Sequence, residues 1–270
     1  MTTSLSSSAW LSAVHRYGST PIDNGRGGTF QPIGAKDLRF LNELAALDTS
    51  YADIGALLEA GKDVRVFSDP HFSHANIIRF CDRPFDDVES MDAALWKAID
   101  AAYKEADLVL CLGDWSLKNP LHVARQMTNR WGDKVLGVIG NHDMRGSRPK
   151  QWADVGVRST LEFSVSKTWL QGHLLDAAVN WSDIPDVVRV GVSHWPVAPI
   201  YFPDDTYLCL HGHTHNKTMG ALRLNACVET MQYRPVPLQD LFTERCLRDL
   251  AEARRTGIRP GTDVEMLHGI

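Results

Sequence analysis

Short apolar runs alternate with stretches of helical periodicity from about residue 62 onward, and this alternation organises most of the chain. Short apolar runs bounded by turn residues are typical of buried strands. The predicted strands are VRVFS (64–68), DLVLCLG (107–113) and KVLGVIG (134–140), with β-like segments at 159–165, 188–193, 207–211 and 221–228. Helices are predicted between them at 90–106 and 119–132. The alternation favours an α/β fold with a mixed sheet covered by helices.

The first 62 residues of the chain depart from this pattern. Residues 1–35 are rich in Ser, Thr, Gly and Pro, and we expect a flexible arm there. Residues 36–62 have helical periodicity and are predicted to form a helical extension on the back of the domain. Capping of a binding crevice, dimerisation and docking of a partner are alternatives for these segments. The compact domain is predicted at 63–270, including a closing helix at 238–256.

Composition narrows the class of protein. Hydrophobic residues make up 44% of the chain, charged residues 23%, and the net charge is −5, which gives no electrostatic footprint for nucleic acid or a membrane surface. The five cysteines are an odd number without a CxxC motif, so reduced thiols are favoured over a disulfide framework. With no recognisable signal peptide and no run long enough to span a membrane, we expect a cytoplasmic protein.

Polar side chains that can bind a metal ion or transfer a proton follow five of the apolar runs. In chain order they are Asp69 and His71, then Asp114, then Asn141 with His142 and Asp143, then His194, and finally His213 and His215. Because the carboxyl ends of strands form the binding edge of an open α/β sheet, these groups are expected to converge. Imidazole, carboxylate and amide ligands without cysteine suit Mn, Fe, Zn, Ni or Co. Their number exceeds what one tetrahedral ion needs and suits two ions roughly 3.5–4 Å apart.

The motifs DPH, GDW, GNHD, SHWP and HGHTH, in this order, resemble the signature of the calcineurin-like metallophosphoesterases. The resemblance covers about residues 64–237 and is similar to the small phage and bacterial branch in SDPHFSHANIIRF and LNACVETMQYRPVPL. It implies two packed mixed β-sheets flanked by helices. It also implies one metal held by Asp69, His71 and His215, a second held by Asn141, His194 and His213, with Asp114 bridging them.

The resemblance further implies an activity. A phosphate ester would be hydrolysed by a hydroxide that bridges two transition-metal ions, with His142 donating a proton to the leaving oxygen. We expect Mn in vitro, with Fe, Zn, Ni and Co as alternatives. Phosphodiesters are slightly favoured over phosphomonoesters, with a nucleotide or small phosphoester as the substrate; the charge does not support nucleic acid. The alternative function is a non-catalytic metal-binding scaffold of the same fold.

One position departs from the family pattern. Many relatives have GDxxD, in which the second acid orients the outer histidine, whereas this chain has Leu117 there. Either Asp143 or another residue orients His142, or activation of the leaving group is weak.

Two interpretations exist for most of the other side chains near the motifs. His74, Asn76 and Arg145 are candidates for substrate contacts, with loop hydrogen bonds or a solvated surface as the alternative. Trp115 and Trp195 either line the pocket or are ordinary packing. His211 is predicted to pack at a strand end behind the site.

Overall fold

Two β-sheets form the centre of the protein, which is described here from a computed structural model over residues 8–23, 28–48, 50–217, 219–220 and 222–257. The strands are β1 (Ile22–Asp23), β2 (Thr29–Phe30), β3 (Val64–Phe67), β4 (Leu108–Cys111), β5 (Val135–Val138), β6 (Val157–Arg158), β7 (Leu161–Ser166), β8 (Val187–Ser193), β9 (Tyr207–His211), β10 (Arg223–Asn225) and β11 (Val236–Pro237). The helices are α1 (Ser8–Ser19), α2 (Ala35–Ala45), α3 (Ile54–Glu59), α4 (Ala75–Phe80), α5 (Val88–Glu105), α6 (Pro120–Trp131), α7 (Pro149–Ala153), α8 (Lys167–His173) and α9 (Glu244–Thr256). Short 3-10 helices occupy Gly132–Lys134, Pro199–Tyr201 and Leu238–Leu241.

The first sheet has five strands in the order β11-β3-β4-β5-β6. Strands β3 to β6 are parallel, while β11 runs antiparallel to β3. Every residue of β4 and β5 is buried, as expected for central parallel strands covered on both faces. The carboxyl ends of β3, β4 and β5 therefore lie side by side along one edge.

The second sheet has four strands in the order β10-β9-β8-β7. Strands β8, β9 and β10 are parallel and β7 is antiparallel to β8. The two sheets meet at their carboxyl edges, where Ser68 forms a bridge with Cys227 and accepts a hydrogen bond from the backbone N–H of Val228 at 3.0 Å. The fold is thus α/β with two mixed sheets flanked by helices, as predicted.

The prediction of a flexible arm over residues 1–35 is wrong for much of the described segment, because residues 8–19 form helix α1. Its buried residues are spaced at helical intervals: Trp10, Ala13, Val14 and Tyr17. The ring of Trp10 stacks on Tyr207 at 5.8 Å and lies over Gly191, where a Cβ would come within 2.0 Å of the indole. The numerous serines of this segment obscured a periodic apolar face.

The predicted extension at 36–62 contains two helices, α2 and α3, rather than one continuous helix. Helix α3 packs against β7 so closely that a Cβ on Gly55 would lie 2.0 Å from the carbonyl oxygen of Ser164. Helix α2 contacts α7, which follows the GNHD motif. Both helices contribute buried leucines to the same continuous core as the central sheets. The extension is therefore integrated into the fold.

Two predicted helix boundaries differ from the structure. Helix α5 begins at Val88, two residues before the predicted start, because Asp87 is the N-cap; Ser90 completes the reciprocal capping box. The predicted closing helix at 238–256 is interrupted, and α9 starts only after Thr243, whose hydroxyl accepts a hydrogen bond from the N–H of Cys246 at 3.3 Å. Among the helices of the described residues, none is both long and apolar enough to cross a bilayer.

Candidate metal centre

The carboxyl edges of both sheets carry a compact cluster of polar side chains. The loops after β3, β4, β5, β8 and β9 supply it, as predicted from the sequence. The structure brings together all the predicted ligands: Asp69, His71, Asp114, Asn141, His194, His213 and His215. Segments more than a hundred residues apart along the chain thus converge on one site.

One half of the cluster consists of Asp69, His71 and His215. Their ligand atoms lie within 4.8 Å of one another, with Nε2 of His71 and Nε2 of His215 at 3.7 and 3.9 Å from Oδ1 of Asp69. The other oxygen of Asp69 accepts hydrogen bonds from the hydroxyl of Ser68 and the N–H of His213. Among the described residues, Oδ1 of Asp69 and Nε2 of His71 are buried without a hydrogen-bond partner. Orphaned buried acceptors of this kind fit a metal site.

Asp114 faces both halves of the cluster. Its Oδ2 lies 3.4 Å from Nε2 of His71 in the first half and 3.4 Å from Nε2 of His194 in the second. In that second half, Oδ1 of Asn141 lies 2.9 Å from Nε2 of His194 and 3.0 Å from Nδ1 of His213. The two ring nitrogens are themselves 3.2 Å apart. Oxygen and imidazole nitrogen atoms thus point at a shared centre on either side of one carboxylate.

The backbone at the cluster is strained. Five candidate ligands have positive φ although none is glycine: Asp69 (56°), His71 (51°), Asp114 (54°), His213 (69°) and His215 (51°). Each such residue costs on the order of 1–3 kcal/mol, and such residues concentrate at functional sites. The surrounding structure therefore has to hold these loops in place.

Asp143 is one of the groups that hold them. Its buried carboxylate accepts backbone hydrogen bonds from Gly140 and Asp114 at 2.8 Å each and from Trp115 at 3.0 Å. Asp143 therefore ties the loop after β5 to the loop after β4, and both of its oxygens are occupied by backbone donors rather than by the ring of His142. A Cβ on Gly140 would lie 2.2 Å from Oδ1 of Asp114, which explains the glycine of the GNHD motif.

His142 lies at the outer edge of the cluster. Its Nε2 is 4.0 Å from Oδ2 of Asp114, and its ring meets the ring of His71 edge-on at 5.2 Å. The side chain is 23% exposed, more than the neighbouring ligands. Burial lowers the pKa of His142, the charge of Asp114 opposes this shift, and the charges of His71 and of the exposed Arg145 add to it.

The remaining candidates differ in their placement. His74 is in the site, with Nδ1 at 3.4 Å from Nδ1 of His71, whereas Asn76 is exposed on α4. Trp115 and Trp195 are buried and pack in the core, so they do not line an open pocket. His211 is fully buried at the end of β9, and its Nδ1 lies 2.7 Å from the carbonyl oxygen of Gly212, behind the cluster as predicted.

The electrostatics differ between the histidines of the cluster: burial and the charge of His194 lower the pKa of His213 to about 3, whereas His194 and His215 favour the protonated form. Burial opposes protonation of His194, but Asp114 and Asp69 outweigh it and raise the pKa of His194 to about 9. Burial likewise opposes protonation of His215, while Cys81, Glu229 and Asp69 raise its pKa to about 10. A buried site that stabilises imidazolium in this way will also stabilise a bound cation.

Sequence reasoning missed two residues beside the cluster, Arg83 and Glu229. Oε1 of Glu229 lies 2.8 Å from Nδ1 of His215, and Arg83 binds the same oxygen. Glu229 lies in the LNACVETM segment, so an acid close to the last ligand motif was the only available signal. Arg83 is 146 residues from Glu229, and nothing in the local sequence indicates their contact.

The sequence is similar to a known protein family and to individual known proteins. The family model described as calcineurin-like phosphoesterase matches residues 63–268. Uncharacterized protein MJ1445 of Methanocaldococcus jannaschii is 38% identical over 192 residues, which is 66% of this chain and 88% of that protein. Gene 66 protein of Mycobacterium phage L5 is 28% identical over 167 residues, covering 55% of this chain and 75% of the phage protein.

Two solved structures are also similar. The protein of unknown function AQ665 from Aquifex aeolicus has a TM-score of 0.43 at 20% identity, covering 66% of this chain and 97% of that one. The nuclease MPE from Pseudomonas putida has a TM-score of 0.30 at 15% identity, covering 73% of each chain. The family model spans most of the sequence, including every motif that supplies the cluster. The chain therefore belongs to the calcineurin-like phosphoesterase family.

Proposed function

We propose that the protein hydrolyses phosphate esters at a dinuclear metal site, with phosphodiesters slightly favoured over phosphomonoesters. The observation that carries the proposal is the position of Asp114, whose Oδ2 lies 3.4 Å from a histidine nitrogen in each half of the cluster. A carboxylate shared in this way suits two neighbouring ions, because it can bind both.

The donor set fits two transition-metal ions. Asp69, His71 and His215 would hold one ion, Asn141, His194 and His213 the other, and Asp114 both. Nitrogen and oxygen donors suit manganese, our first choice, as well as iron, zinc, nickel or cobalt. When bound, such ions lower the pKa of water and neutralise charge on phosphate oxygens.

The chain's own residues would bind and orient the ester. His142, at the outer edge of the cluster, would donate a proton to the leaving oxygen, and an anionic phosphate beside its ring favours the protonated form. Arg145, an exposed cation three residues after His142 in the sequence, would attract the anionic substrate. His74, 3.4 Å from His71, would border the same phosphate. Asn76 is the weakest candidate because it is exposed on α4.

A nucleotide or another small phosphoester is the substrate class we favour. The net charge of −5 gives no support for an extended nucleic-acid substrate. The five cysteines are free and buried, which fits a reducing compartment and supports a cytoplasmic location. A non-catalytic metal-binding scaffold is the competing function, but the complete set of candidate ligands argues against it.

The test is hydrolysis by the metal-stripped protein after Mn, Ni, Co, Zn or Mg is restored. We expect turnover of bis(p-nitrophenyl) phosphate above that of p-nitrophenyl phosphate. Asp114→Asn should lower kcat on the order of 10²–10³-fold because it removes a charge shared by both halves. Asp154→Asn, which removes an exposed carboxylate paired with Lys150, is the matched control and should not change kcat. Two bound ions without turnover on either ester would favour the scaffold instead.

A further inference from the structure

Arg83 is a buried cation beside the candidate metal centre, and its side chain is completely covered. Nε and Nη2 donate to Oε1 of Glu229 at 2.9 and 2.6 Å. Nη2 also donates to the carbonyl oxygen of Asp69 at 2.8 Å, and Nη1 donates to that of Pro70 at 2.9 Å. Nη1 further contacts Sδ of Met91 at 3.4 Å. The guanidinium thus joins the loop after β3 to Glu229.

A buried ion pair is by itself weak evidence for stability, because desolvation offsets much of the attraction. The contacts of this pair suggest another role. The carbonyl groups of Asp69 and Pro70 belong to the loop that carries two candidate ligands, Asp69 and His71. Both have positive φ, at 56° and 51°. The hydrogen bonds of Arg83 therefore hold the strained segment that aims these side chains at the cluster.

Glu229 acts on a third ligand. Its Oε1 lies 2.8 Å from Nδ1 of His215, so the proton of the neutral imidazole belongs on Nδ1 and Nε2 is free to bind a metal. That Nε2 faces Oδ1 of Asp69 at 3.9 Å. One oxygen of Glu229 therefore accepts from the ligand His215 and from Arg83, which in turn holds Asp69.

We propose that Arg83 and Glu229 form a positioning pair that preassembles one half of the metal centre, the half made of Asp69, His71 and His215. This inference rests on the proposed function, since it assigns the pair to one of the two ions. The other half contacts the first through the hydrogen bond from the N–H of His213 to Asp69, but it also has a support that involves neither Arg83 nor Glu229: Nδ1 of His194 lies 2.9 Å from the carbonyl oxygen of Leu112. Loss of the pair should therefore weaken one ion and spare the other.

The experiment is calorimetric titration of Mn²⁺ into the metal-stripped full chain and its variants. Glu229→Gln keeps an oxygen acceptor for His215 but removes the charge, and Arg83→Met removes the anchors to the loop. Each should weaken the affinity for one ion by about 10–100-fold, the usual effect of removing a group that orients a metal-binding histidine. The affinity for the second ion should stay at the wild-type value.

Arg65→Met is the matched control. Arg65 pairs with Asp63 and Glu105 at the amino end of β3, away from the ligands. This variant loses ion pairs without touching the cluster, so both Mn²⁺ affinities should be unchanged. The double variant R83M/E229Q removes both buried charges, and it is measured instead if a single variant fails to fold. Its loss of affinity should be smaller than the summed losses of the single variants, since the two residues act as a unit.

The electron paramagnetic resonance spectrum provides a second readout that a purely structural role would not change. Wild-type protein with two Mn²⁺ equivalents should give the spectrum of a coupled ion pair, and the variants should give that of an isolated Mn²⁺. Wild-type affinities for both ions in the folded variants would overturn the inference alone, as would an equal loss at both. A wild-type protein that binds no ion would overturn the proposed function with it.

Discussion

The ring of His142 is not hydrogen-bonded to a carboxylate of the described residues. Among the described residues, its Nδ1 is buried without a hydrogen-bond partner, and Asp143 is occupied by three backbone donors. Leu117 stands where many relatives have an acid, and it is 39% exposed. Within the part of the chain that the structure describes, no side chain thus replaces the missing acid in orienting this imidazole.

This leads to a prediction about leaving groups. His142→Gln should lower kcat on the order of 10²-fold for alkyl esters, whose poor leaving group needs a proton. The same variant should change kcat little for p-nitrophenyl esters, whose leaving group is stable as an anion. The comparison requires steady-state rates for both esters with the wild type and the variant. An equal loss on both would show that His142 acts in substrate binding instead.

The convergence of the candidate ligands could be predicted at the residue scale because each follows a buried strand, and the fold determines which strand ends meet. His213 and His215, for example, are adjacent in sequence to β9 and needed no long-range information. Glu229 and Arg83 could not be predicted in the same way. Their roles depend on a contact between distant loops, and a buried arginine and a surface arginine look alike in sequence.

Some secondary-structure elements could be predicted from the local sequence and others could not. Strand β9 was predicted with its boundaries because its apolar run is bounded by turn residues on both sides. Helix α1 was missed because its four buried positions lie in a serine-rich segment and its partners, Tyr207 and Gly191, lie far along the chain. The Ser, Thr, Gly and Pro content of this segment suggested an arm, whereas the helical spacing of its apolar residues indicates the helix that forms.

Helix α1 should therefore contribute to stability, contrary to what an arm would do. Trp10→Ala removes a fully buried indole and leaves a cavity in its place, which should lower the free energy of unfolding by about 3–5 kcal/mol. Leu175→Ala, at a position that is 82% exposed, is the control and should change it by less than about 0.5 kcal/mol. Urea denaturation measures both. Similar midpoints for the two variants would mean that α1 is only loosely attached.

The candidate metal centre joins the four-stranded and the five-stranded sheet. Its candidate ligands follow β3, β4 and β5 in the five-stranded sheet and β8 and β9 in the four-stranded sheet. An unfolded chain cannot present this arrangement, so ions that bind the native state should stabilise the entire fold.

Metal binding should consequently raise the melting temperature. Free Mn²⁺ at a hundred times its dissociation constant should stabilise the native state by about 2.7 kcal/mol per site. Differential scanning calorimetry of the metal-stripped protein, with and without Mn²⁺, measures this shift. The Asp114→Asn variant should show a smaller shift than the wild type, because Asp114 faces both halves of the centre. Equal shifts in the two proteins would indicate that Mn²⁺ binds elsewhere.

The central claim is that this cluster holds two ions on either side of Asp114. Anomalous X-ray diffraction from crystals grown with Mn²⁺ tests it most directly, because the manganese signal locates each ion without reference to activity. We predict two peaks, one beside Asp69, His71 and His215 and the other beside Asn141, His194 and His213. A single peak would contradict the dinuclear site, and peaks away from these side chains would contradict the assignment of the metal centre itself.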